Sequence, residues 1–521
     1  MSGPAPPVRS TGLLLPLAVL LGLSLLIAAQ ALHTYDEPLE FDSALYAILG
    51  HELLAGRHLY SDLWDIKPPA IHVTYAVAEL LAGYGPRQIY LLSVATAIAT
   101  LLGVYVAGAA LSGARVAGLW AALFWTVIWA APGLEANQPN SEVFANACSI
   151  WAFALMVGAR NGGFQVRRWL LIGALFALSI LYKPMVIGIP ILLAGIHLAW
   201  APDLRRTLGQ IGVTATTAAA MGLAVCGYFL AVGRFTDFYN VMIIHNRYYT
   251  GSITANILQG LQADNLLPSY LNPLAPLAIL GAFGLALGLL KPGRRPWALL
   301  AGLVIGTEIA ICLPGKFFLH YYQFWLPPLA VGAGWALQEL GQLAKKDEGS
   351  RACPWLPRLV GAAALLILMA HELPLYRLSA DQWSQRKYGD HYLIIKRMGQ
   401  ELGRLLQPDE TIYNWGNEVG LYFYSQRRPA SGIIFYWPAI LGPLAPALQS
   451  RLLADLQRSP PEIMITRRQH TSEDYQKNHP VMAWFSKNYR FWFQRGSFML
   501  YFRSEGKVAA RLGLEPPRSA P

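Results

Sequence analysis

Charge is scarce in this chain. Of its 521 residues, 14% are charged and 54% are hydrophobic, and the mean hydropathy is +0.35. A soluble domain carries roughly 25% charged residues, so an ordinary cytosolic enzyme of this length is excluded. The apolar and aromatic content excludes a disordered chain as well. Cysteine is equally scarce, with four in all. They form no CxxC, no zinc spacing and no disulfide framework. Cys148, Cys226 and Cys312 lie in apolar stretches and Cys353 in a basic loop, so the region beyond 353 cannot depend on disulfides. There is no HExxH pair, no Walker loop, no nucleophile elbow and no DxD motif followed by a nucleotide-binding fold. What remains is the composition of a polytopic membrane protein.

Apolar runs begin at residues 12–32 and continue at 88–111, 115–132, 143–160, 168–182, 184–200, 209–232, 273–291, 296–313, 322–342 and 357–374. This predicts a mainly helical bundle of about 11 spans, several of them shorter than the ~20 residues a crossing needs. The first run is expected to be an uncleaved span, since the apolar core of a signal peptide is shorter. Residues 70–83 are too short to cross and read as a surface or re-entrant helix packed on the bundle. With the N-terminus inside, the inner segments carry 14 Lys and Arg and the outer loops 7, although the outer loops are longer. This is the positive-inside bias. It orients a multi-pass protein with a cytoplasmic N-terminus and an external C-terminus; the expected setting is the cytoplasmic (inner) membrane with a periplasmic C-terminal domain.

The expected division is a transmembrane domain, residues 1–376, with a first outer loop at 33–87, and an external soluble domain, residues 377–521. The latter holds 20 Lys and Arg against 12 Asp and Glu, so +8 of the net +11 lies there. Charge placed outside a bilayer points to anionic lipid or glycan, or to a solubilising surface, and not to nucleic acid. Strand-like pieces at 411–415, 463–466 and 498–503 alternate with helical periodicity at 392–406 and 444–457, which predicts a small α/β domain.

The ionisable residues cluster in the first outer loop. Residues 33–69 contain Asp36, Glu37, Glu40, Asp42, Glu52, Asp62 and Asp65 beside His33, His51, His58, Arg57 and Lys67. Acids and cations just outside a bilayer suit a reaction at a lipid headgroup. A carboxylate serves as general base and a cation holds a phosphate. Residues 41–54 have helical spacing, with Leu45, Ile48, Leu49 and Leu53 as an apolar stripe. Asp42 falls in the first turn, at N-cap or N1, so capping competes with chemistry there. Asp65 and Lys67 are close enough in sequence to pair, and Pro68-Pro69 punctuate the loop.

Glu142 opens a later helix, where a cap role competes with that of a second acid or acceptor-binding group. Lys183 breaks two apolar spans, and a charge there is costly unless used. Lys316 and His320 enter the tenth span among aromatics, and His245 to Tyr249 form a further polar patch. Each of these cationic sites reads either as a phosphate contact or as part of an interfacial belt.

FDSALYA (Asp42 to Tyr46 within it), the following DIKPP (Asp65 to Pro69), HYYQFWLPP at 320–328 and NWGNEVGLYFYSQRRPAS at 414–431 together resemble the GT-C superfamily of integral-membrane glycosyltransferases. The similarity is to the glycosyltransferase family 39-like branch. That branch includes protein O-mannosyltransferases, aminoarabinose transferases and lipopolysaccharide galacturonosyltransferases. The layout matches along the whole chain. The family's Asp-Glu pair is Asp42-Ser43 here, so either Asp42 acts alone or Asp36 and Glu37 supply the pair.

The resemblance implies transfer of a glycosyl group from a polyprenyl-phosphate sugar to an acceptor on the outer face of the cytoplasmic membrane, with inversion. The acceptor would be an envelope lipid, glycan or protein, and membrane lipids are the other partners. Asp42 would be the catalytic base. Asp36, Glu37, Asp65 and Glu142 are candidates for a second acid or for acceptor binding, and Lys67, Lys183, Lys316 and His320 for the donor phosphate. No cofactor is required and no metal ligand set is assigned, although the acids with His51 or His58 are compatible with a divalent metal. The competing readings are a flippase or transporter for a lipid-linked sugar, and a glycan-binding scaffold. A transporter's ionisable groups usually sit near the midplane.

Overall fold

The computed structural model describes residues 11–159, 165–290, 295–346, 355–467 and 479–514. Cys353 lies outside them. All eleven apolar segments fall on helices. Among the described residues seven helices are long and apolar enough to cross a membrane: Leu14–His33, Pro86–Ser112, Ser141–Gly158, Leu204–Ala231, Ser269–Leu289, Arg295–Cys312 and Leu356–Arg377. Arg115–Ile128 and Pro184–Ala199 are apolar but shorter, Val166–Tyr182 has 17 residues, and Leu326–Lys346 ends in Gln, Glu and Lys.

The chain folds into two compact units, each gathered from three stretches. One comprises Met1–Asp36, Ile89–Val225 and Ser252–Trp383; the other comprises Glu37–Gln88, Cys226–Gly251 and Ser384–Pro521.

The first unit is helical. Small residues let its helices approach closely, as expected where lipid gives no hydrophobic drive to association. A Cβ on Gly118 would lie 2.4 Å from the Tyr105 carbonyl, and one on Gly334 2.5 Å from that of Ala117.

The second unit combines two short helices, Phe41–Leu54 and Pro69–Ala82, with an α/β layer. The two helices pack at Gly50, where a Cβ would come within 2.8 Å of the Ala76 nitrogen. Residues 43–50 are buried without a break, so burial extends well beyond the expected stripe. The 70–83 segment is the Pro69–Ala82 helix; it buries Ile71, His72 and Tyr75 and exposes Val73, Val77, Leu80 and Leu81.

The sheet has four strands: β1 (Ile412–Trp415), β2 (Ile463–Arg467), β3 (Tyr489–Arg495) and β4 (Phe498–Arg503), in the order β1-β2-β4-β3. β1 and β2 are parallel, which requires a crossover. The Ala445–Arg458 helix lies in that connection and buries Leu448, Leu452 and Leu456. β3 and β4 form an antiparallel hairpin turned through Gly496, at φ 60°.

Candidate active site

Glu40 caps the Phe41–Leu54 helix. Its carboxylate accepts the backbone N–H groups of Asp42 at 2.8 Å and Ser43 at 2.6 Å. This corrects the expectation that Asp42 sits at N-cap or N1, because Asp42 is the second helical residue and Glu40, two positions earlier, satisfies the orphan amides. The Asp42 carboxylate meets Lys67 instead, with Nζ 3.1 Å from Oδ2. Tyr46 lies one helical turn on, and its hydroxyl accepts from the same Nζ at 2.9 Å. Positions four apart share a helix face, so Asp42 and Tyr46 grip one ammonium. Both charged side chains are nearly but not fully buried, at 14% exposure for Asp42 and 13% for Lys67. The helix dipole favours a carboxylate in this first turn.

Asp65 and Lys67 do not pair. Residues two apart on an extended segment point their side chains the same way, but here the chain turns between them. Asp65 is buried, with Oδ2 2.8 Å from His72 Nε2 and Oδ1 accepting from the Ile66 amide at 2.6 Å. Pro69 begins its helix with Pro68 at the cap, so the double proline does punctuate the loop. The backbone beside Lys67 is held twice. Tyr60 donates its hydroxyl to the Lys67 carbonyl at 2.8 Å, and Asn246 donates its amide to the Ile66 carbonyl at 3.1 Å. Tyr46 packs edge-on against His72 and Tyr75, at 5.8 and 5.7 Å.

The other acids of this unit are engaged elsewhere. Glu37 is buried and forms an ion pair with Lys387 at 2.5 Å. Glu52, buried, receives Arg428 at 3.0 and 2.6 Å and Arg57 at 3.1 Å. Burial pushes the Glu52 carboxyl up, but the hydrogen bonds and charges of Arg428 and Arg57 outweigh it and hold the group below its ordinary value. Arg427 donates to the carbonyls of Gly403 and Leu406 at 2.8 and 2.6 Å. Both arginines of 414–431 thus make internal contacts, while the Arg428 side chain stays more than half exposed. His51 lies 2.7 Å from Glu79 and stacks on Tyr84 at 4.4 Å. The His245 ring packs edge-on against Trp64 at 5.1 Å, and burial pushes its pKa down.

In the first unit a second cluster forms. Asn140 caps the Ser141–Gly158 helix through the Ser141 amide, so Glu142 is not the cap. Glu142 is fully buried, with Oε1 2.5 Å from Lys183 Nζ and Oε2 accepting from the Ser141 hydroxyl at 3.0 Å. Lys183 occupies the break between the Val166–Tyr182 helix and the turn opening at Pro184, where proline cannot continue the ladder. Its Nζ sits 4.6 Å from the centre of the Tyr321 ring. His320 lies 3.5 Å from Glu135 and 3.9 Å from Glu142. The 3-10 turn carrying His320, Leu319–Trp325, is pinned at Gln323, which donates to the Leu134 carbonyl and accepts from Asn146, both at 2.8 Å. Lys316 is exposed and so is Asp36. Among the described residues no group of three or more His, Cys, Asp or Glu is arranged to hold a metal ion.

Tyr46, Tyr60 and His72 carry this geometry without having been singled out for a role, and Glu40 and Asn246 were named only as members of a cluster. One signal was there to read: Asp42 and Tyr46 share the i, i+4 spacing. The others depend on contacts across the fold.

The chain shares its fold with a protein of known structure. The chain is similar to the crystal structure of ArnT from Cupriavidus metallidurans bound to undecaprenyl phosphate, with a TM-score of 0.57 and 15% identity, over 95% of this chain and 98% of that one. The apo state of the same protein gives a TM-score of 0.56 and 16% identity, over 92% and 97%. No family model matches the sequence, and no curated protein does.

Proposed function

We propose that this protein transfers a glycosyl group from a polyprenyl-phosphate-linked sugar to an acceptor hydroxyl at the outer face of the cytoplasmic membrane. Asp42 takes the acceptor proton, and the acceptor oxygen attacks the anomeric carbon from the side opposite the phosphate. The bond from that carbon to the phosphate oxygen breaks with inversion, and the polyprenyl phosphate leaves with the electron pair. Lys67 balances the charge of Asp42 and stabilises the departing phosphate as its charge develops. The main support is the grouping of Asp42, Lys67 and Tyr46 on a helix that Glu40 already caps, in a chain that shares the ArnT fold. The ligand of the similar ArnT structure, undecaprenyl phosphate, is the class of lipid this reading requires.

Lys183 and His320 form a second anion-holding cluster in the proposal, with Glu142 setting their geometry. The outer location rests on the Lys and Arg bias of the loops. The acceptor is an envelope lipid, glycan or protein.

The test is turnover by purified, detergent-solubilised protein given a panel of polyprenyl-phosphate sugars and a mixed acceptor extract, read as released polyprenyl phosphate. Release with one donor supports the reading. No release with any donor, together with donor movement across liposomes, would replace it with a flippase.

A further inference from the structure

Lys67 ends a loop that is tied by its own Leu59–Leu63 bridge and by groups from distant stretches. Tyr60 has φ 70°, a left-handed conformation that costs a bulky residue energy and persists only when its surroundings impose it. Those surroundings are on view. The buried Tyr60 ring packs against Phe229 and Phe238 at 5.3 and 5.7 Å. The main chain on either side is gripped by Arg451, from the Ala445–Arg458 helix. Its guanidinium donates to the Asp62 carbonyl at 2.7 Å and to the Tyr60 carbonyl at 3.4 Å. Arg57 donates to the same Asp62 carbonyl at 3.0 Å, and the Trp64 amide donates to the Gly432 carbonyl at 3.0 Å. At Gly432 a Cβ would fall 1.6 Å from the Asp62 oxygen, so only glycine permits this approach. The strained tyrosine then delivers its hydroxyl to the Lys67 carbonyl at 2.8 Å.

We infer that Tyr60 and Arg451 are positioning residues for Lys67. A continuous chain of contacts runs from Arg451 through the backbone of Tyr60 and Asp62 and the Tyr60 hydroxyl to the Lys67 backbone, and so to the ammonium beside Asp42. The C-terminal stretch thereby sets the geometry of the cation that receives the polyprenyl phosphate. The inference rests on the proposed role of Lys67 as a phosphate-holding group. It adds that the aim of Lys67 is imposed by residues that touch neither lipid nor sugar.

The test is a double-mutant cycle on the full-length protein in detergent, with undecaprenyl phosphate as the probe and its Kd as the readout. Lys67→Met should weaken binding about tenfold, the loss of one charge-assisted contact. Tyr60→Phe, which removes one oxygen and keeps the ring, should weaken it about threefold. The double variant should match Lys67→Met alone, because a group acting through Lys67 has nothing left to position. Arg451→Ala should behave like Tyr60→Phe, and Arg451→Lys should recover part of the affinity by restoring a donor to the Asp62 carbonyl. A purely structural role would lower the melting temperature and leave the affinities uncoupled. Tyr60→Phe with wild-type affinity, or an equal loss with and without Lys67, overturns the positioning role while leaving the function standing. Unchanged affinity in Lys67→Met overturns both.

Discussion

Glu40, and not Asp42, caps the Phe41–Leu54 helix, with its carboxylate spanning the amides of Asp42 and Ser43 at 2.8 and 2.6 Å. Neighbouring acids two positions apart thus have separate duties. Losing an N-cap costs about 0.5–2 kcal/mol. Glu40→Ala is therefore expected to lower stability by about 1 kcal/mol, read as a fall in melting temperature. Asp42→Asn keeps the cap but removes the charge that faces Lys67, so the comparison is made in a Lys67→Met background, where Asp42→Asn should change stability by much less than Glu40→Ala. Equal losses at the two positions in that background would return Asp42 to a capping role.

Glu52 binds a buried carboxylate to two arginines. Arg428 is more than half exposed, so solvent screens its share. Removing the charge with Glu52→Gln is expected to cost about 1–3 kcal/mol at neutral pH, below the cost of breaking a fully buried pair. The sign with pH follows from a carboxyl held below its ordinary value. Its stabilisation is fully present above the unfolded value, about 4.5, and is lost as pH falls through the folded value. Melting curves of wild type and Glu52→Gln should therefore converge as pH drops below about 4.5. Curves that stay parallel down to the lowest accessible pH would contradict this.

Lys183 and Glu142 are both almost wholly buried, at 5% and 0% side-chain exposure. Lys183→Met takes the ammonium from the Glu142 carboxylate, which keeps the Ser141 hydroxyl; loss of one partner of a buried ion pair is expected to cost about 3–5 kcal/mol. Adding Glu142→Gln removes the buried charge, so the double variant should recover much of the loss in melting temperature. A double variant less stable than Lys183→Met would show that the pair is not the interaction that matters there.

The helices were legible because their cause is local. Eleven apolar segments and the 41–54 periodicity all appear as helices, and three of the four strands coincide with runs of aromatic and β-branched residues. β3 was hidden for a physical reason. Tyr489–Arg495 is also aromatic-rich, but it follows the Pro480–Asn488 helix directly, and the register shift between Phe491 and Phe493 breaks the alternation that marks a strand. The site was legible only in its residue types. Asp42 and Lys67 do come together, but Asp65 goes to His72, and Arg428 reaches Glu52 across 376 positions. Such pairings depend on the fold and leave no periodic trace. The same holds for Tyr60, whose left-handed backbone is imposed by Arg451, Phe229 and Phe238 from distant stretches.

Whether Asp42 is the base of a sugar transfer is decided by one comparison. Wild type and Asp42→Asn are assayed with the polyprenyl-phosphate sugar that supports turnover, with melting temperatures taken on the same samples. Loss of general-base catalysis predicts a fall in kcat of about 10²–10⁴-fold in a variant whose melting transition shows that it is still folded at the assay temperature. An Asp42→Asn protein that turns over within about twofold of wild type, well inside that range, would contradict the account.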